Sequence, residues 1–270
     1  MTRAKLPDLR EHLEFAHRLA DISGEVALPY FRKSIAVRNK AAATGFDPVT
    51  AADRSAERAI RKAIKARYPE HGIVGEEFAE VAGAGHLNWI IDPIDGTRAF
   101  ITGMPLWGTL IGLLDAGEPV LGLMNQPFTG ERFWGAGGKA YSSIRGGTPR
   151  RLKTRPCASL AEAVLTTTHP DMFSKAGELP AFEKLKAQAR MTRFGGDCYG
   201  YCLLAAGFID LIVESGLKSY DIVALVPIIE GAGGRVTTWQ GKPATDGGRI
   251  VASGDARVHK EALAMLRAVD

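Results

Sequence analysis

Apolar residues recur at helical spacing through the first part of the chain. Leu9, Leu13, Ala16 and Ala20 lie near a 3.6-residue repeat, which predicts one long amphipathic helix over 7–33, with Pro29 bending its end. Residues 45–48 break the pattern. A second helix is expected from Thr50 to about Tyr68, with Ala56, Ile60, Ala63 and Ile64 on its inner face and Pro69 as its stop. Ile73 and Val74 read as a short strand running into Gly75-Glu76-Glu77. From 89 to about 141 the pattern is mostly that of strands, expected over 88–91, 107–115, 119–125 and 132–135, with a hairpin turn at Gly117-Glu118. Beyond a stretch rich in Pro, Gly and Arg at 145–156, the two kinds of element alternate. Strands are expected over 164–167, 191–194, 209–214, 235–238 and 250–252, and helices over 181–189, 199–206, 221–231 and 256–268. This order predicts a layered α/β (α+β) fold in which helices cover sheets. The 145–156 stretch is the expected boundary between an N-terminal half, 1–150, and a C-terminal half, 151–270.

Composition adds mainly exclusions. A chain of 270 residues can bury a large core, and 46% hydrophobic with 24% charged residues is ordinary for a globular protein. No apolar stretch reaches the length of a membrane span, and the N-terminal residues lack the apolar core of a signal peptide, so the cytoplasm is the expected location. Cys157, Cys198 and Cys202 are too few and too uneven for a disulfide framework and read as small buried hydrophobes. The histidines form no ligand cluster. The net charge of +4 comes without a basic stripe interleaved with aromatics, so nucleic acid is not an expected partner. The basic run Arg145, Arg150, Arg151, Lys153 and Arg155 fits a solvated loop as well as an attractor for an anionic molecule.

The chemistry concentrates in Trp89-Ile90-Ile91-Asp92-Pro93-Ile94-Asp95-Gly96-Thr97. An apolar strand delivers two carboxylates into a tight turn, after which Gly96 and Thr97 open a helix. Carboxylates there suit hard divalent cations, and free N–H groups at a helix start suit phosphate. Asp-Pro-x-Asp-Gly is also ordinary turn chemistry. Glu76 after one strand and Asp221 at a helix start supply further acids at element ends.

Taken together these segments resemble the inositol monophosphatase family of metal-dependent, lithium-sensitive phosphatases. The resemblance spans nearly the whole chain. It rests on the Trp89–Thr97 run, on Tyr220-Asp221-Ile222-Val223-Ala224-Leu225 leading to Glu230-Gly231-Ala232-Gly233-Gly234, on Gly75-Glu76-Glu77, and on Asp47-Pro48-Val49-Thr50-Ala51-Ala52-Asp53. Tyr220 departs from the family's usual Trp. The resemblance implies an αβαβα sandwich, a small-molecule phosphate ester as substrate, two or three Mg2+ ions, and a homodimer. It implies that Glu76, Asp92 and the Ile94 carbonyl hold one metal and that Asp92, Asp95 and Asp221 hold a second. The N–H groups of Asp95, Gly96 and Thr97 would bind phosphate, and Thr97 with Asp53 would orient and deprotonate the attacking water. Asp53 also suits a first-turn helix acid.

Two segments bear on the substrate. Arg98–Thr109 and the Gly195-Gly196-Asp197-Cys198-Tyr199-Gly200-Tyr201 run look like the histidinol-phosphatase branch of the family. Histidinol phosphate carries an ammonium and an imidazole, and Asp197 and Glu214 are the acids expected to meet them. Asp197 also suits a helix N-cap. The alternatives are an inositol or other sugar-alcohol phosphatase, a 3′-phosphonucleotide phosphatase, and a regulatory protein that keeps the fold and binds RNA polymerase or ribosomal machinery.

Overall fold

The computed structural model describes residues 9–34, 36–39 and 48–269. Residues 7 and 8 of the first expected helix, the break at 45–47, and Asp47 of the matched stretch lie outside the described residues.

In chain order the elements begin with α1 (Leu9–Ala27), β1 (Val37–Asn39), β2 (Pro48–Thr50), α2 (Ala51–Arg67), β3 (Gly72–Gly75), β4 (Leu87–Asp95) and α3 (Thr97–Ile101). Five strands follow: β5 (Gly108–Asp115), β6 (Glu118–Gln126), β7 (Glu131–Ala136), β8 (Lys139–Ile144) and β9 (Arg150–Arg151). The remainder is β10 (Val164–Thr167), α4 (Glu178–Lys186), β11 (Met191–Phe194), α5 (Asp197–Ala205), β12 (Leu211–Leu217), α6 (Ser219–Ile222), α7 (Leu225–Gly231), β13 (Arg235–Thr238), β14 (Gly248–Ser253) and α8 (Ala256–Leu266).

A seven-stranded sheet runs in the order β3-β4-β5-β6-β7-β8-β9, with only β3 and β4 parallel. A five-stranded sheet runs β11-β10-β12-β14-β13 and is part parallel, part antiparallel. Alternation along the strands assigns the layers. Ile111, Leu113, Leu121 and Leu123 point to one face, where Phe15, Leu19, Ile60 and Ile64 of α1 and α2 cover them. Leu110 and Met124 point to the other face, toward α5 and α7. In the second sheet Ile212 faces the same middle helices, while Leu211 and Val213 face Phe182 of α4 and Val258 of α8. The result is an αβαβα sandwich, and one middle core contains residues from both sheets.

The middle layer sits unusually close to the first sheet. Gly112 pairs with Gly122, and Gly122 with Gly135, so three glycines form a row across β5, β6 and β7. A Cβ on Gly122 would lie 1.8 Å from the Ala224 carbonyl oxygen, and one on Gly135 would lie 2.1 Å from that of Pro227. The row is a groove that seats the α6–α7 segment, and with it Asp221, against the sheet.

The expected single helix over 221–231 is two. Pro227 has no N–H to continue a helix from Val223, and it fits the first turn of α7 instead. The pair β1–β2, the strand β8 and the edge strand β9 escaped the apolar pattern. Every residue of β1 is exposed, so nothing in its sequence alternates. Among the described residues no helix is long and apolar enough to cross a membrane.

Candidate active site

Asp92 and Asp95 are three apart, and in a regular strand they would point to opposite faces. The chain does not end β4 and turn there, as the sequence suggested. It stays in the ladder through a bulge. Asp92 pairs with Leu110 and Asp95 with Gly108, so Pro93 and Ile94 stand opposite Thr109 alone. The extra residue brings both carboxylates to one side. The bulge satisfies its own polar groups: Ile94 N–H donates to Asp92 Oδ1 at 3.0 Å, and Thr109 Oγ1 donates to the Pro93 carbonyl at 2.9 Å. Gly96 then takes φ +81°, and a Cβ there would lie 3.1 Å from Asp197 Cγ. Backbone and space both call for glycine at this position.

Asp221 comes from the start of α6, where Lys218 N–H donates to its Oδ2 at 2.7 Å. Carboxylate oxygens of Asp92, Asp95 and Asp221 lie within 4.8 Å of one another. Glu76 directly follows β3, whose Gly75 pairs with Ile91, one residue before Asp92. Its charge acts on both Asp92 and Asp221. Cys198 N–H donates to Asp95 Oδ2 at 2.7 Å, which ties the cluster to the first turn of α5.

Asp53 fills both roles weighed for it. Its Oδ2 accepts from Thr50 N–H at 2.8 Å, closing a capping box at the start of α2. Its Oδ1 faces Thr97 Oγ1 at 3.4 Å, and the same hydroxyl lies 3.1 Å from the Ile94 carbonyl. Asp197 is not an N-cap. Gly196 holds that position, and Asp197 opens α5 with a left-handed φ of 44°. Glu214, on β12, is buried and accepts from Thr168 N–H at 2.9 Å and from Tyr201 Oη at 2.8 Å. Asp95, Arg98, Asp197, Glu214 and Asp221 line one cleft of about 430 Å³. Thr168 carried no signal in the sequence, and Arg98 and Tyr201 lay in the two segments read for the substrate with no role assigned to them, because these roles arise only from this convergence.

Burial and mutual repulsion dominate the electrostatics. Burial first, then Glu76, Asp95 and Asp221, push the Asp92 carboxyl well above its ordinary range. Burial, then Asp197 and Asp221, do the same to Asp95. Burial raises Asp221 from 3.8 to about 7, against the Lys218 N–H bond that lowers it. Such a cluster requires protons or a cation. The donors are all oxygen, which fits a hard divalent ion such as magnesium. Burial and the charge of Asp95 push the nearby Cys198 thiol well up.

A pH dependence follows. A carboxyl whose folded value is raised binds more protons folded than unfolded, so its contribution to stability is full below the unfolded value and is lost as pH rises. For Asp221 that window runs from 3.8 to about 7. His17 and His259, which burial holds at about 4, act in the opposite sense over part of that range, so the effect of Asp221 is read by difference: the metal-free protein should lose melting temperature relative to Asp221→Asn as pH rises from 3.8 to about 7. A difference between the two that does not change with pH would contradict this account of the cluster.

Residues 8–269 match the inositol monophosphatase family. The chain is 43% identical over 260 residues to the bifunctional phosphatase IMPL2, chloroplastic, of Arabidopsis thaliana, covering 92% of this chain and 72% of that protein. It is 36% identical over 252 residues to a histidinol-phosphatase of Chlorobaculum parvum, covering 93% of each. An inositol monophosphatase from Zymomonas mobilis superposes with a TM-score of 0.84 at 41% identity, covering 96% of this chain and 99% of that one. The matched residues span every element of the sandwich. The chain belongs to the inositol monophosphatase family, and it is a metal-dependent phosphomonoesterase.

Proposed function

We propose that the protein hydrolyses histidinol phosphate. The observation that carries this reading is the pair of acids, Asp197 and Glu214, on the wall of the cleft that also holds Asp95 and Asp221. A phosphate ester held at the carboxylate cluster would extend its alcohol part along that wall, where an ammonium and an imidazole meet negative charge. Burial, then the charge of Glu214, raise Asp197 to about 7 while Arg98 pulls it down, so a bound cation would favour its ionised form. The likeness to a histidinol-phosphatase supports the same substrate. Hydrolysis of inositol monophosphate is the second reading, favoured by the likeness to the Zymomonas mobilis structure.

In this reading Glu76, Asp92, the Ile94 carbonyl, Asp95 and Asp221 hold two or three magnesium ions. When bound, magnesium activates the attacking water and neutralises charge at the phosphate and leaving oxygens. The N–H groups of Asp95, Gly96 and Thr97 orient the phosphate. Thr97 has one hydroxyl proton and two acceptors, Asp53 Oδ1 and the Ile94 carbonyl, which leaves its oxygen lone pairs to align a water. Burial raises the Asp53 carboxyl, so it can take up the proton that water loses.

Phosphate release from histidinol phosphate, inositol monophosphate and glycerol phosphate tests the proposal. Hydrogen bonds to charged groups are worth ~1.5–3 kcal/mol, so Asp197→Asn or Glu214→Gln should cost about ten- to a hundred-fold in kcat/KM on histidinol phosphate. The loss on glycerol phosphate should be much smaller. Equal losses on both esters would assign the two acids to support of the fold. Faster hydrolysis of inositol monophosphate by the unaltered protein would replace the substrate with the second reading.

A further inference from the structure

Helix α2 carries a second acid that the site as described does not use. Glu57 is fully buried, and nothing in the sequence explains a carboxylate there. Its partners are specific. Glu57 Oε2 accepts from Glu77 N–H at 2.7 Å, and Oε1 accepts from Phe78 N–H at 3.2 Å and from Arg61 Nε at 2.7 Å. Arg61, itself buried, donates onward to the Phe78 carbonyl at 2.9 Å and the Ala79 carbonyl at 3.0 Å. Two side chains one helical turn apart thus satisfy four backbone groups of the segment that leaves β3. They do the work that a neighbouring strand would do in a sheet.

The contact is tight as well as polar. A Cβ on Gly75 would lie 2.3 Å from Glu57 Oε1, so the backbone just before Glu76 rests directly on the Glu57 carboxylate. The Phe78 ring closes the far side, with the Arg54 guanidinium 4.8 Å and that of Arg58 5.6 Å from its centre. Glu76 therefore has its backbone anchored on both sides, at Gly75 and at Glu77-Phe78, by one helix. The same face of that helix carries Asp53 one turn earlier, at i, i+4 and i+8 spacing with Glu57 and Arg61. Asp53 reaches Thr97. Helix α2 thus sets the position of the Asp53–Thr97 pair and of the Glu76 segment relative to each other.

We infer that Glu57 and Arg61 are positioning residues that hold Glu76 in place for magnesium. The inference rests on the proposed role of Glu76 as a metal ligand. Glu57→Gln keeps the shape of the side chain but turns an amide N–H2 toward a backbone N–H. The Glu76 segment then loses one of its two fixed points at that end. Partners that orient a metal ligand typically contribute about 10–100-fold to metal affinity. Isothermal titration of the full chain with magnesium should show Glu57→Gln binding about ten-fold or more weakly, with kcat near that of the unaltered protein once magnesium saturates. Arg61→Lys keeps the charge beside Glu57 but cannot reach both carbonyls, and it should show a smaller loss of the same kind.

Glu76→Gln serves as the control that separates two failures. If it leaves magnesium binding unchanged, the metal role of Glu76 fails, and the inference falls with it. If it weakens binding while Glu57→Gln and Arg61→Lys bind magnesium as tightly as the unaltered protein, the inference alone is overturned. Thermal melts report whether each variant is folded. Should Glu57→Gln not fold, the affinity of Arg61→Lys decides. A kcat loss in these variants that saturating magnesium does not restore would also overturn it, because the pair would then act on something other than metal binding.

Discussion

Asp92→Asn is expected to abolish phosphate release and to leave the protein folded, with a higher melting temperature in the absence of metal. Asn keeps an oxygen to accept from Ile94 N–H, so the bulge retains its internal bond. It removes one charge from a buried position that Glu76, Asp95 and Asp221 all oppose. Without metal that charge is a cost to the folded state, and its removal stabilises. With metal the sign reverses, because Asp92 is the acid proposed to serve both ions. The loss of magnesium affinity should exceed the about 10–100-fold typical of a residue that only orients a ligand. Isothermal titration, melts with and without magnesium, and phosphate release together check the account. Near-normal activity, or an unchanged magnesium affinity, would remove Asp92 from the metal site.

Thr97→Ala and Asp53→Asn should each lower kcat by about 10²–10⁴-fold, the usual contribution of a positioned acid or base, with a much smaller effect on KM. Aligning and deprotonating water matters mainly in the transition state. The double variant should lose little more than the worse single one, because the hydroxyl and the carboxylate act as a unit. The geometry adds a condition. Asp53 also closes the capping box of α2, but Asn keeps an oxygen to accept from Thr50 N–H, so Asp53→Asn should stay folded, as Thr97→Ala should. Steady-state kinetics at saturating magnesium, with a thermal melt of each variant, separate a loss of catalysis from a loss of folding. Additive losses in kcat would show that the residues act independently.

Much of the molecule is legible from local pattern. Strands over 164–167 and 235–238 and the helix that Thr50 caps stand where apolar spacing and cap chemistry put them. Their signal is local, since a helix or strand that buries one face must repeat apolar residues at its own period. The Asp92–Thr97 run was visible because acids beside Gly and Pro at an element end stand out in composition, and Asp221 because the Tyr220–Leu225 run resembles a family motif. Glu57 was not visible, because a glutamate in an amphipathic helix reads as part of its wet face. Its partners at Glu77 and Phe78 lie 20 and 21 residues away.

The sequence by itself determined the class of fold, the order of most of its elements and the acids available for chemistry. The tertiary structure decided which of those acids meet. The bulge opposite Thr109 turns Asp92 and Asp95 to one side, and a row of glycines on three strands lets α6 bring Asp221 to them. Cys198 N–H fixes Asp95 from 103 residues away, and Thr168 and Tyr201 fix Glu214 beside Asp197. Local periodicity records how each segment meets water. It carries no record of which distant backbone fits a given groove, and that fit is what gathers like charges into one buried cleft against their own repulsion.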